Sequence, residues 1–189
     1  MANKILAGLD EVGRGCLAGP VISCALILKK NINKKILRDS KTISFKSRIK
    51  IAEYIKENSW YAIGSASVYE IDKYNIFNAT LLSMERAAKK LKKKPNIFLI
   101  DGTHAPKKLN NSKTIIKGDQ KIKCISAASI VAKVYRDLYM IRLGKKFPQY
   151  KWDKNFGYGT WQHLGALRKF GVTNYHRKSY RPVHNILSK

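Results

Sequence analysis

Two short apolar runs near the start of the chain, Ile5 to Leu9 and Val21 to Leu28, constrain the fold more than any other feature. Each has the length of a strand and lacks the apolar–polar alternation of a half-exposed one, so both faces must be covered. The Gly-rich stretch from Gly13 to Pro20 predicts a turn that sets the two strands side by side. Further strands are expected at Trp60 to Val68, at Ile97 to Ile100 and at Lys113 to Ile116. Helical spacing appears after Ser44, an N-cap, where Phe45, Ile49, Ala52 and Ile55 recur. It returns over Ile76 to Lys93, with Phe77, Leu81, Met84, Ala88 and Leu91 on one face, and over Ala127 to Leu143. A last helix is expected from Trp161 to Phe170, stopped by Gly171.

Strands first, then helix, strand and helices, predict an α/β domain with helices on a mixed sheet. All 189 residues are expected to form one domain. The part from about residue 145 onward, richer in aromatic and basic residues, is expected to pack on it as a helical extension.

Charge narrows the partner. Lys and Arg total 38 against 12 for Asp and Glu, a formal net charge of +26. Codon bias enriches Lys and Asn but does not remove acids, so the excess points to a polyanion, and nucleic acid is the natural one. Cys16, Cys24 and Cys124 lie far apart with no C-x-x-C pair, which suits reduced thiols better than a zinc site or a disulfide framework. No apolar run approaches the ~20 residues of a membrane span, and the start lacks a secretory signal. A cytoplasmic protein is expected.

With few carboxylates, their positions carry information. Asp10 and Glu11 follow the apolar run Ile5 to Leu9, and Asp101 follows Ile97 to Ile100. Carboxyl ends of buried strands are where open α/β sheets place their sites. An acid there can also cap a turn, but two such ends, one with an adjacent Asp–Glu pair, weaken that explanation. Asp137 shares a helix face with Ile130, Val134 and Ile141, so it projects from the apolar stripe and needs a partner. That partner is either Arg136 or Lys133 in an ion pair, or a divalent cation shared with the strand-end acids. Four convergent carboxylates in a basic chain suit phosphodiester hydrolysis with two Mg²⁺ or Mn²⁺ ions.

At this point the motifs become specific. Asp10-Glu11-Val12-Gly13-Arg14-Gly15, followed by Ala18-Gly19-Pro20-Val21, resembles the opening signature of ribonuclease HII, the type 2 ribonuclease H. The family's order continues through Asp39-Ser40-Lys41, Asn75-Ile76, Asp101-Gly102, Lys117-Gly118-Asp119, Ala127 to Val134 with Arg136-Asp137, Gly157-Tyr158-Gly159-Thr160 and His176-Arg177. The resemblance implies a ribonuclease H-like fold, a five-stranded mixed sheet flanked by helices. It implies cleavage of the RNA strand of RNA–DNA hybrids, and incision of DNA on the 5′ side of a single embedded ribonucleotide, leaving a 3′-hydroxyl and a 5′-phosphate. By position, Asp10, Glu11, Asp101 and Asp137 correspond to the metal-binding acids, with Mg²⁺ or Mn²⁺ as cofactor. Gly13, Arg14 and Gly15 correspond to a ribose-sensing loop, Tyr158 to the tyrosine under the sugar at the RNA-to-DNA junction, and Lys41 to a phosphate contact.

His104, His163 and His176 are left out of the catalytic set, because water on a metal ionises without a histidine. His163 and Arg177 are expected to brace the C-terminal segment. Val12, Arg14 and the absence of an extra N-terminal domain separate the sequence from the type 3 relative. A monomer is expected, and no clamp-binding peptide is evident after Arg177. Two other classes remain open. A different two-metal enzyme of the same fold would not need Tyr158 or the Gly13-Arg14-Gly15 loop. A non-catalytic basic binding protein would leave the four acids unexplained.

Overall fold

The computed structural model describes residues 4–29, 32–33, 36–37 and 44–188. Strand β1 (Leu6–Val12) pairs antiparallel with β2 (Val21–Leu28), and β2 pairs antiparallel with β3 (Ser59–Ala66). On the other side of β1 lie β4 (Ile97–Asp101) and β5 (Ser112–Ile115), both parallel to it. The result is the expected five-stranded mixed sheet, in the order β3-β2-β1-β4-β5.

The absence of alternation in β2 has its explanation in two cores. Cys24 and Leu26 pack under helix α1 (Phe45–Glu57) and the long helix that follows β5, while Ala25 and Ile27 pack on the opposite face with Ala7, Leu9 and Met84. Ser44 caps α1 by accepting from Ser47 N at 3.2 Å. Helix α2 (Val68–Lys90) covers the second face, and it starts earlier than its apolar periodicity suggests. Ser67 and Glu70 form a reciprocal capping box, so β3 ends at Ala66 and Val68 is helical rather than extended. Asn75, at φ 65° and ψ 165°, interrupts α2, and its side-chain oxygen accepts from Asn78 N at 3.0 Å to restart it. The apolar face read from the sequence is buried at Met84, Ala88 and Leu91, but Phe77 is 38% exposed. Its ring meets His104 edge-on, 4.9 Å between centroids, at the rim of a cleft.

After the short helix α3 (Gly118–Lys121), the long helix α4 (Lys123–Lys146) lies across β1 and β2. A Cβ on Gly8 would stand 2.1 Å from the carbonyl carbon of Cys124, so only glycine lets the start of α4 approach β1 this closely. The C-terminal part is helical, as expected: a 3-10 turn (Pro148–Tyr150), α5 (Trp152–Asn155), α6 (Trp161–Phe170) and α7 (Arg181–Leu187). These enclose Tyr150 and Trp152 and join Met140 and Leu143 of α4 and Leu17 and Ala18 of the β1–β2 turn in one apolar cluster. Among the described residues no helix is long and apolar enough to cross a membrane.

Candidate active site

Asp10 and Glu11 lie inside β1, which runs three residues further than the apolar pattern shows, and Asp101 is the last residue of β4. The parallel register pairs Leu9 with Ile100, so Asp10 and Asp101 follow it side by side on neighbouring strands. Asp10 is 5% exposed, and its Oδ1 accepts from Glu11 N at 2.8 Å. Burial drives its pKa well above the usual aspartate range; the charge of Glu11 adds to this, a hydrogen bond from Ser129 opposes it, and the charge of Asp101 raises it again. Glu11 is also raised, chiefly by burial and further by Asp101, against the pull of Arg14 at 3.4 Å. Asp101 Oδ1 accepts from Gly118 N at 2.7 Å. The three acids thus share one strand end and repel each other there.

Asp137 projects from α4 and is fully buried. Lys133 Nζ donates to its Oδ1 at 2.7 Å, while Oδ2 is buried with no hydrogen-bond partner. Burial raises the Asp137 pKa, and Lys133 lowers it. Of the two cations weighed from the sequence, Lys133 is therefore the ion-pair partner, and it satisfies only half of the carboxylate.

Lys133 also lines a cleft of ≈ 610 Å³ with Glu11, Arg48 and Ser129. A second cleft of ≈ 320 Å³ is walled by Glu11, Arg14, Phe77, Asp101 and His104. Both are large enough to seat a ligand-sized group, and Glu11 stands on the ridge between them. Among the described residues no three carboxylate, imidazole or thiol side chains form a ready-made ion cage. Asp10, Glu11 and Asp101 form one group, and Asp137 borders the same region through its partner Lys133.

The Gly13-Arg14-Gly15 loop is held from behind by two arginines, each fully buried. Arg177 Nη2 donates to Gly13 O at 2.6 Å and Nη1 to Arg14 O at 2.8 Å, while Nε reaches Gly19 O at 3.0 Å. Arg136 donates to Pro20 O (3.0 Å), Ala18 O (2.9 Å) and Phe156 O (2.8 Å). Gly13, at φ +94°, lies so close to Arg136 that a Cβ would stand 2.1 Å from its Nε. Arg177 Nη1 also donates to Tyr180 OH at 3.0 Å, so this side chain ties the C-terminal segment to the N-terminal loop, more than 160 residues away in the chain.

Tyr158 is 41% exposed, and its loop is tied to the β1–β2 turn by Leu17 N donating to Gly157 O at 2.8 Å. Its pKa is raised by burial first, then by Cys16, with the charge of Asp137 adding to the effect. Tyr158 thus lies within electrostatic reach of the α4 acid. The histidines lie in two places. His163 Nδ1 holds Tyr158 O at 2.8 Å, and its Nε2 accepts from Trp152 Nε1 at 3.0 Å and lies 3.1 Å from His176 Nε2. His176 Nδ1 accepts from Thr173 N at 3.0 Å. His163 Nε2 and His176 Nδ1 both accept, a role that only neutral imidazoles fulfil. His104 stands apart from them, in the smaller cleft with its Nδ1 2.8 Å from Thr103 Oγ1. Lys41 lies outside the described residues.

Comparison with known proteins bears on the family and the fold. The family model described as ribonuclease HII matches residues 7–183. A relative from Pelagibacter ubique (strain HTCC1062), also described as ribonuclease HII, is 55% identical over 186 residues, spanning 97% of this chain and 100% of the relative. The crystal structure of ribonuclease H2 from Pyrococcus horikoshii OT3 superposes with a TM-score of 0.82 at 22% identity, covering 97% of each chain. Bst-RNase HIII in complex with Mn²⁺ superposes with a TM-score of 0.70 at 15% identity, covering 98% of this chain and 70% of that one. The structures establish likeness of fold; the family model and the sequence identity establish descent, and the chain belongs to the ribonuclease HII family of ribonuclease H enzymes.

Proposed function

We propose that this protein hydrolyses the RNA strand of RNA–DNA hybrids and incises DNA on the 5′ side of a single embedded ribonucleotide, leaving a 3′-hydroxyl and a 5′-phosphate. Asp10, Glu11, Asp101 and Asp137 would hold Mg²⁺ or Mn²⁺ for this reaction. The observation that carries the reading is the buried, unpartnered Oδ2 of Asp137, in a chain where three further acids repel each other at one strand end. A buried carboxylate oxygen without a donor is costly, and hard oxygen ligands are what these two cations take. When bound, a pair of such ions supplies activation of water and charge stabilisation at the scissile phosphate. Bst-RNase HIII, a fold neighbour, has been crystallised in complex with Mn²⁺.

The chain's own residues supply discrimination. The peptide bonds of the loop are trans, so each N–H points opposite to the carbonyl before it. With the carbonyls of Gly13 and Arg14 turned inward onto Arg177, the N–H groups of Arg14 and Gly15 face away from the clamp. Donors so placed, on a loop with no bulk at Gly15, suit a 2′-hydroxyl, the atom that separates RNA from DNA. Tyr158, fixed through its carbonyl by His163, presents a flat face for the neighbouring sugar.

The test is a labelled DNA duplex carrying one ribonucleotide, incubated with Mg²⁺ or Mn²⁺ and with EDTA as control. One metal-dependent cut on the 5′ side of the ribonucleotide is expected. Cleavage of a continuous hybrid alone would overturn the incision activity. No cut on either substrate, with tight and salt-sensitive binding, would replace the nuclease with a basic binding protein.

A further inference from the structure

Helix α6 begins three residues after Tyr158, and its outward face is unusual. Trp161 is 84% exposed, the largest exposure of any large apolar side chain among the described residues. At 100° per residue Trp161, Gly165 and Arg168 share one side of the helix, opposite the buried His163, Ala166 and Leu167. Gly165 is exposed and interior to the helix, where glycine is the poorest choice after proline. Nothing lies within 4 Å of where its Cβ would be, so packing within the chain does not explain it. A large ring left in water, a helical position stripped of its side chain and a cation one turn later make sense together if a flat, anionic partner lies along this face. The segment from Tyr158 to Gln162 is exposed throughout, with Thr160 N donating to Tyr158 O at 2.8 Å, so Trp161 continues the surface on which Tyr158 sits.

We propose that the Trp161–Gly165–Arg168 face of α6 extends the substrate surface beyond Tyr158 and seats the sugar–phosphate backbone of the duplex. The inference rests on the function proposed above. A strand advances about 3.4 Å per nucleotide, and three residues of chain reach at most about 10 Å, so Trp161 falls within about three nucleotides of the sugar at Tyr158. Trp161 lies on the sugar it reaches there, Gly165 lets the backbone approach the helix, and Arg168 meets a phosphate. Charge complementarity favours nucleic acid over a protein partner, given Lys169 beside Arg168 and a net charge of +26.

Fluorescence anisotropy in EDTA, with the same single-ribonucleotide duplex as probe, tests this in wild type, Trp161→Ala, Gly165→Ala and Arg168→Gln, alongside a melting curve for each. Gly165→Ala separates contact from structure. An added methyl raises Tm by about 1–4 °C through helix propensity, yet the dissociation constant is expected to rise about fivefold. Trp161→Ala is expected to weaken binding about five- to tenfold, as for other aromatic contacts to nucleic acid. Arg168→Gln should lower the salt slope by about 0.9, the value of one phosphate contact. Wild-type affinity in both Trp161→Ala and Gly165→Ala would overturn the proposal. Cleavage by wild type with Mg²⁺ is read in parallel: its absence, with the α6 effects present, would overturn the nuclease reading alone.

Discussion

The strand-end acids and the clamp beneath the Gly13-Arg14-Gly15 loop both bury ionisable groups, and they treat them in opposite ways. In the clamp, Arg136 and Arg177 give their guanidinium protons to backbone carbonyls, and His163 and His176 close a chain of hydrogen bonds with Trp152 and Thr173. In the acid group, Asp10 and Glu11 are pushed toward protonation by burial and by their neighbours, and Asp137 keeps one oxygen without a partner. A satisfied polar network serves the fold. An unsatisfied one, bordering a cleft, is where a ligand can complete the structure. The two regions meet at Gly13 and Arg14, where the clamp fixes the loop that adjoins the acids.

The contrast breaks most sharply under mutation. Asp10→Asn should reduce cleavage of an RNA–DNA hybrid by about 10³-fold or more while retaining hybrid binding, since under the proposed function it removes a metal ligand and no substrate contact; a quantitative cleavage and binding assay on one hybrid checks both. Arg177→Ala should act on the fold instead, costing about 3 kcal/mol or more because several buried carbonyls lose their donor. Its Tm should fall by roughly 6–12 °C, read by calorimetry or circular dichroism. A variant that lost cleavage without losing stability would move Arg177 from the fold to the chemistry.

The two regions also predict opposite slopes of stability with pH. The raised pKa of Asp10 means its contribution is full below the unfolded value and is lost as pH rises through the folded one. The pKa of His176 is lowered by burial first and then by His163, to about 3. Its contribution is present above the unfolded value of about 6.5 and is lost as pH falls from there toward the folded value. Metal-free melting curves across this range should show Asp10→Asn gaining on wild type as pH rises, and His176→Gln flattening the acid limb. The smallest effect is expected at the substrate face. Tyr158→Ala should slow incision at a single ribonucleotide about tenfold, on the scale of one aromatic contact, with less change in binding to plain duplex.

What the sequence disclosed follows the range of the forces involved. Asp10, Glu11 and Asp101 were legible because strand ends are local, and Asp137 because a charge on an apolar helix face is read from phase alone. The family motifs added the loop and Tyr158. The contacts of Arg136 and Arg177 to the β1–β2 turn escaped because those acceptors lie more than 100 residues away and are backbone atoms, which leave no mark on side-chain pattern. Phe77 was assigned to the core because periodicity does not register the kink at Asn75, which carries the first turn after it to the cleft rim. The capping box that starts α2 at Ser67 was present in the sequence as Ser-x-x-Glu, and the β-prone residues before it obscured the boundary.

The most direct test of the central claim, that the acids are left unsatisfied for a divalent cation, is the melting temperature of wild type and Asp10→Asn at neutral pH with and without Mn²⁺. Without metal, Asp10→Asn should melt a few degrees above wild type, because one repelling buried carboxylate is gone. With Mn²⁺ at a hundred times its dissociation constant, wild type should gain about 2.7 kcal/mol, or roughly 5–10 °C, and Asp10→Asn should gain little. An Asp10→Asn protein that melts below wild type without metal, and rises with Mn²⁺ as far as wild type does, would contradict the account.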